Sequence, residues 1–249
     1  MRTAVVSDIH GNLSALAAVA ADLAGIAPDV VVIGGDLVAN GARPAEVVDF
    51  VRERRWPAVL GNTDEMLWRP ELLEPLLARA PGRGQLRRLL FDEVAPFTAS
   101  LLGAERLAWL RRLPQSWSGG GVTVWHASPN DLWRAPLADA AAEDLASVFG
   151  VADTKVVVYG HIHHPFVRLV PPRTIVNAGS VGLSYDGDTR AAYAVVDERG
   201  AFIRRVAYDV PAEARRLVDG GHPRGDWLAR ILLSGRYLPP GPPGAVGSR

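Results

Sequence analysis

Two carboxylates, one amide and four imidazoles recur in short motifs along this chain: Asp8-Ile9-His10, Gly35-Asp36, Gly61-Asn62-Thr63-Asp64, Trp125-His126 and Gly160-His161-Ile162-His163. A further motif, Asn177-Ala178-Gly179-Ser180, follows them. Carboxylate, amide oxygen and imidazole suit divalent cations of borderline character such as manganese, iron, nickel or zinc. Asp8 and His10 are two residues apart, as are His161 and His163, so extended backbone would project each pair to one side as a chelate. Asn62 can lend its carbonyl oxygen without adding charge. The chain has 6 histidines, and four of them fall in these motifs. Each motif alone has a plainer reading: a capping aspartate, a turn, a structural histidine. As a set, at the ends of successive strands, they describe one site for a pair of cations. Such a pair can lower the pKa of a shared water from about 15.7 towards 7, leaving a hydroxide as nucleophile.

The elements that must carry these residues follow from periodicity. Residues 3–7 form a short β-branched run that reads as a buried strand. Asn12 can cap a helix whose Leu13, Leu16, Ala20 and Leu23 share one face, and residues 30–33 make the next strand. This strand-helix-strand unit predicts two parallel strands joined by a right-handed crossover. Pro44 suits the first turn of a second helix carrying Val47, Val48 and Val51, with a short strand at 58–60 after it. Asp8, Asp36 and Asn62 then stand at the carboxyl ends of parallel strands, where open α/β sheets gather ligands. Residues 65–115, broken at Pro70, Pro75, Pro81-Gly82 and Pro96, read as a helical insertion whose last helix spans 105–113. Beyond Gly119-Gly120-Gly121 come strands at 122–125, 156–159, 166–170, 174–176, 191–196 and 202–207, interrupted by a helix at 137–149. The late strands, joined by short turns, are expected to pair antiparallel. Residues 1–235 thus form a single domain, and the Pro- and Gly-rich residues 236–249 a tail.

Composition narrows the function classes. Lys+Arg and Asp+Glu both number 27, so no net basic field exists to hold nucleic acid or an anionic membrane in bulk. With 0 cysteines, a disulfide framework, a thiolate nucleophile and zinc-finger ligation are excluded. The first residues lack a secretory h-region, and no apolar run is long enough for a membrane span, so a cytoplasmic protein is expected.

The order Asp-x-His, Gly-Asp, Gly-Asn, His, Gly-His-x-His resembles that of the calcineurin-like metallophosphoesterase superfamily, across residues 3–207. Ser7-Asp8-Ile9-His10-Gly11-Asn12 and Asn177-Ala178-Gly179-Ser180-Val181-Gly182 are similar to its bacterial and archaeal phosphodiesterase branch. The resemblance implies a four-layer α/β/β/α sandwich of two mixed sheets. It also implies that Asp8, His10 and His163 hold a first metal, that Asn62, His126 and His161 hold a second, and that Asp36 bridges them. His126, Asp36 and Asn62 are then also the catalytic positions.

One position departs from that pattern. Relatives such as the protein phosphatases carry Gly-Asn-His, in which the histidine is thought to protonate the leaving oxygen. Here Thr63 stands in that place, and a threonine hydroxyl is a poor acid near neutral pH. His164, which adjoins two proposed ligands, is a substitute acid unless its strand end turns it away. The expectation is a phosphodiesterase using two divalent ions on small diesters, nucleotides among them. A phosphomonoesterase or protein phosphatase, or a non-catalytic protein-binding scaffold, are the alternatives.

Overall fold

The computed structural model describes residues 1–69, 71 and 87–240. In chain order its first elements are β1 (Thr3–Val6), α1 (Leu13–Ile26), β2 (Val30–Ile33), α2 (Pro44–Glu53) and α3 (Asn62–Glu65). A π-helical stretch, Arg88–Val94, runs into α4 (Ala95–Leu110). Then come β3 (Ser116–Gly119), β4 (Val122–Trp125), α5 (Ala142–Phe149), β5 (Val156–Tyr159), β6 (Phe166–Val170) and β7 (Arg173–Asn177). The last elements are β8 (Ala191–Asp197), β9 (Gly200–Val206), α6 (Val210–Asp219) and α7 (Gly225–Ser234).

The strands make two mixed sheets, in the orders β2-β1-β8-β9 and β3-β4-β5-β7-β6. β1 lies parallel to β2 and antiparallel to β8, while β4, β5 and β7 run parallel between antiparallel β3 and β6. Side-chain alternation builds the layers. Val5 of β1 enters a seam between the sheets with Val32, Val124, Val158, Val176 and Ala194. Its neighbours Ala4 and Val6 face the other way, onto Leu16 and Val19 of α1. On the far side of the second sheet, Val157, Tyr159 and Ile175 pack on Leu145 and Phe149 of α5. Burying each such valine fully is worth roughly 1.5–3 kcal/mol, so strands apolar on both faces are sandwiched by necessity. The result is the α/β/β/α sandwich.

Local chemistry sets the boundaries. Asn12 Oδ1 accepts the Ala15 N–H at 3.0 Å to start α1, and Ala27 ends it in a left-handed conformation. Asp209 caps α6 in the same way, accepting from Ala212 at 2.9 Å.

Several expectations need correction. The strand at 58–60 shrinks to a single bridge, Ile33 to Ala58. Pro57 has no N–H to extend the ladder, and the Leu60 N–H turns to the Pro114 carbonyl at 2.8 Å. The helix expected over 137–149 begins only at Ala142. β3 was not anticipated; it pairs with β4 through Gly120 and Gly121, whose φ of 56° and 81° permit a tight hairpin. Pro96 lies in the first turn of α4 and does not break it; the break falls at Gly103, with φ 72° and ψ 166°. Pro70, Pro75 and Pro81-Gly82 lie outside the described residues, as do residues 241–249 of the tail. Nearer residues of that tail are tied down: Arg236 bridges to Asp186, and the Leu238 carbonyl accepts from Trp227 Nε1 at 2.9 Å.

Candidate metal centre

All the motif residues gather at the carboxyl ends of the strands. There the loops of both sheets interlock through backbone bonds: Asp8 N–H to the Gly35 carbonyl at 3.1 Å, His10 N–H to Asp36 at 2.9 Å, Gly160 N–H to His126 at 2.9 Å and Gly182 N–H to Asp8 at 2.9 Å. Such approaches exclude side chains between them. A Cβ on Gly160 would stand 2.2 Å from Asp8 Oδ2, and one on Gly61 would stand 2.2 Å from Asp36 Oδ1.

Two groups of donors share Asp36. In the first, His163 Nε2 lies 3.2 Å from both Asp8 Oδ1 and His10 Nε2, and His10 Nε2 lies 3.7 Å from Asp36 Oδ2. One potential ligand atom from each of Asp8, His10, Asp36 and His163 falls within 4.8 Å of all the others. In the second, His126 Nε2 is 2.8 Å from Asn62 Oδ1 and 3.4 Å from Asp36 Oδ1, while His161 Nδ1 is 3.0 Å from Asn62 Oδ1 and 3.3 Å from His126 Nε2.

The tautomers say what this convergence is for. His10 Nδ1–H donates to the Ala39 carbonyl at 2.9 Å, His126 Nδ1–H to Gly34 at 2.9 Å, and His163 Nδ1–H to Leu183. A carbonyl only accepts, so in the neutral rings each Nε2 keeps a bare lone pair. Those lone pairs aim at one another and at carboxylate and amide oxygens. Acceptors facing acceptors repel unless a cation lies among them, and backbone carbonyls of this kind fix metal-binding imidazoles elsewhere. The donor chemistry of Asp8, His10, Asp36 and His163 fits a divalent metal ion, and Asp36 also faces the second group.

The backbone is strained to achieve this. Asp8, His10, Asp36, His161 and His163 adopt φ between 51° and 67°, and they are five of the eight described non-glycine residues with positive φ. Each such residue costs about 1–3 kcal/mol and persists only where its surroundings over-determine it. The chelate pairs are therefore not formed by extended strand, as the two-residue spacing implied. β1 and β5 end at Val6 and Tyr159, and the ligands sit on tight turns beyond them.

Burial and charge pull against each other here. Burial opposes ionisation of Asp8, but His163, His126 and His10 outweigh it and hold the carboxyl well below the usual range. Burial lowers His10, and burial with His126 lowers His161 to about 4. For His126, burial is overcome by Asp36 and Asp8, which raise it.

Four residues have supporting roles that the sequence reading did not assign. Asp64 accepts from the N–H groups of Leu37 at 2.9 Å, Val38 at 3.2 Å and Gly61 at 3.3 Å, joining the Asp36 loop to the start of α3. Burial and the nearby Asp36 push it up to about 7. Its place three residues past Gly61 is the acidic position of a helix cap, which is the signal that could have found it. Ser180 donates to the Asp8 carbonyl at 2.7 Å and accepts from Leu183 N–H at 2.8 Å, and Asn177 Nδ2 donates to Gly160 at 2.7 Å. Tyr185 stacks on the His163 ring, with centroids 4.3 Å apart and planes at 17°. No spacing rule announces such a contact. Burial, then Tyr237, Asp8 and Asp36, raise the Tyr185 phenol.

His164 and Thr63 stand apart from the ligand sets. His164 Nδ1–H donates to the Ile162 carbonyl at 2.8 Å, which turns the ring toward its own loop. The Thr63 N–H donates to Asp36 Oδ1 at 2.9 Å, and its buried hydroxyl has no hydrogen-bond partner.

Residues 1–200 match the calcineurin-like phosphoesterase superfamily domain, and the chain belongs to that superfamily. A metallophosphoesterase from Sphaerobacter thermophilus has a similar structure, with a TM-score of 0.74 and 29% identity over 94% of this chain and 99% of its own. An uncharacterized protein of Methanocaldococcus jannaschii is 29% identical over 94% of this chain and 98% of its own. A symmetrical bis(5'-nucleosyl)-tetraphosphatase of Vibrio vulnificus is 31% identical over 122 residues, which are 48% of this chain and 41% of that enzyme. Among the described residues, no helix is long and apolar enough to cross a membrane.

Proposed function

We propose that this chain is a two-metal phosphodiesterase acting on small diesters, with Asp8, His10 and His163 at one ion, Asn62, His126 and His161 at the other, and Asp36 between them. The observation that carries the reading is the convergence of imidazole Nε2 atoms, backed by Nδ1 contacts to carbonyls, and carboxylate oxygens into two groups sharing one aspartate. Two divalent cations held there would supply an activated water and neutralise charge on the phosphoryl oxygens. The protein's part is to hold the donors rigid on strained turns, to buttress the imidazoles with the Ala39, Gly34 and Leu183 carbonyls, and to exclude water from the inner faces of Asp8 and His126, both 0% exposed.

Thr63 bears on which leaving groups are favoured. The residue that follows Asn62 in the chain is Thr63 and not a histidine, and His164 is turned to the Ile162 carbonyl. Leaving groups that need little protonation are therefore favoured. Aryl esters meet that condition, and so does the phosphoanhydride of a dinucleoside polyphosphate, the substrate type named for the Vibrio relative.

With manganese added, hydrolysis of bis(p-nitrophenyl) phosphate should exceed that of p-nitrophenyl phosphate by about tenfold in kcat/KM, a difference of about 1.4 kcal/mol in barrier. The opposite order would overturn the diester reading. A His164→Ala variant should keep most of the activity on both esters.

A further inference from the structure

An aromatic path leads outward from the proposed metal centre. The His163 ring carries the Tyr185 ring on its face, and Tyr237 meets Tyr185 edge-on, with centroids 5.4 Å apart and planes at 72°. Tyr185 is partly buried, whereas Tyr237 is 53% exposed. An exposed tyrosine on a loose segment would carry no message, but Tyr237 is fixed from both sides. Before it, α7 ends on Gly235 in a left-handed turn, and the Gly235 carbonyl accepts the Gly187 N–H at 2.8 Å. After it, the Leu238 carbonyl accepts from Trp227 Nε1 at 2.9 Å. Arg236 bridges to Asp186, directly beside Tyr185 in the chain. The backbone thus presents an open aromatic ring, at fixed orientation, two ring contacts from a ligand imidazole.

We propose that Tyr185 and Tyr237 form a subsite for the ester group of the substrate, and that this group is a planar aromatic, with a nucleobase as the natural class. The rings run outward in sequence from the His163 face, with centroid steps of 4.3 Å and 5.4 Å, on the side a substituent of a bound phosphate could follow. The chain's charge is balanced, 27 basic against 27 acidic residues, so affinity for the ester group must come from contact and not from a basic field. Stacking on a tyrosine supplies that contact and tolerates any base, because every base has a π-face.

The inference rests on the proposed site reading, and the test separates the two. Binding of AMP, ribose 5-phosphate and inorganic phosphate to manganese-loaded protein would be measured by titration calorimetry in the wild type, Tyr237→Ala and Tyr237→Phe. AMP should bind the wild type about tenfold tighter than ribose 5-phosphate, in the range of a single base stack. Tyr237→Ala should erase that gap, Tyr237→Phe should keep it, and all three proteins should bind inorganic phosphate alike. A wild type without the gap, or a Tyr237→Ala variant that retains it, overturns the subsite. If no protein binds inorganic phosphate, the metal-centre reading falls and takes the subsite with it. A preserved gap in an enzyme that favours monoesters would refute the diester preference alone and support the subsite.

Discussion

This protein buries histidines in two places, and they behave differently. At the sheet ends, His10, His126 and His163 are 3%, 0% and 3% exposed; in the α6–α7 layer, His222 is 6% exposed. His222 packs edge-on against Phe97 at 4.9 Å, accepts the Arg224 N–H on Nδ1 at 3.1 Å, and leaves Nε2 without a partner. Burial alone lowers it to about 4. The three site histidines spend Nδ1–H on backbone carbonyls and turn bare Nε2 atoms on one another and on shared oxygens. A buried imidazole is therefore no sign of a metal centre. Converging lone pairs with fixed tautomers are.

The largest effect should come from breaking the convergence at its shared member. Asp36→Ala removes the carboxylate shared by both groups, so metal content measured by mass spectrometry should fall from the proposed two ions towards none. Several kcal/mol of charge stabilisation go with it, and activity should drop about a thousandfold. Single replacements at His10 or His126 should cost one ion each, and retention of both ions in either variant would break the pairing described above.

A middle-sized effect belongs to Asp64→Asn. The carboxylate accepts from three N–H groups, whereas an amide would turn an NH2 toward some of them. Asp64 touches no proposed ion, so both ions should stay bound more weakly, with metal affinity and kcat/KM down about tenfold. Unchanged metal affinity would mean that Asp64 serves folding only.

The smallest effect concerns His222, where the prediction is stability and not chemistry. Its folded pKa, about 4, lies below the 6.5 of a free imidazole, so the neutral form is the one the fold stabilises. That contribution is complete above about pH 6.5 and is lost as pH falls toward 4, by at most about 3 kcal/mol. His222→Phe keeps the packing on Phe97 and should flatten the acid limb of urea-melt stability, while leaving stabilisation by added manganese intact. An unchanged acid limb would show that other groups set it.

Much of the site was legible because metal chemistry constrains residue types strongly. Asp8, His10, Asp36, Asn62, His126, His161 and His163 announce themselves by donor atom and by place after strands, and the structure brings all seven together. What was illegible depends on backbone groups far away in sequence. Asp64 matters because of N–H groups at 37 and 38, and Tyr185 because it lies on the face of His163. The left-handed turns were hidden for the same reason, since their strain is imposed by the opposing loops. The C-terminal helices were legible and overlooked: Asp209, Pro211, Ala214 and Leu217 carry a cap, a first-turn proline and helical spacing, and Leu228, Ile231 and Leu232 repeat the pattern.

The His161 N–H reaches both oxygens of Asp8 at 3.1 Å, across 153 positions of sequence and from one sheet to the other. Asp8 and Asp36 follow strands of the first sheet, and His126, His161 and His163 follow strands of the second. Mechanically the centre is a rivet at the open end of a seam whose remaining length is held by valines. Neither half of the sandwich, taken alone, carries the full set of donors. A sliding of one sheet past the other too small to disturb the apolar seam would still pull the donors out of reach of one another, so the chemistry reports on the registry of the two sheets more sharply than the core that joins them.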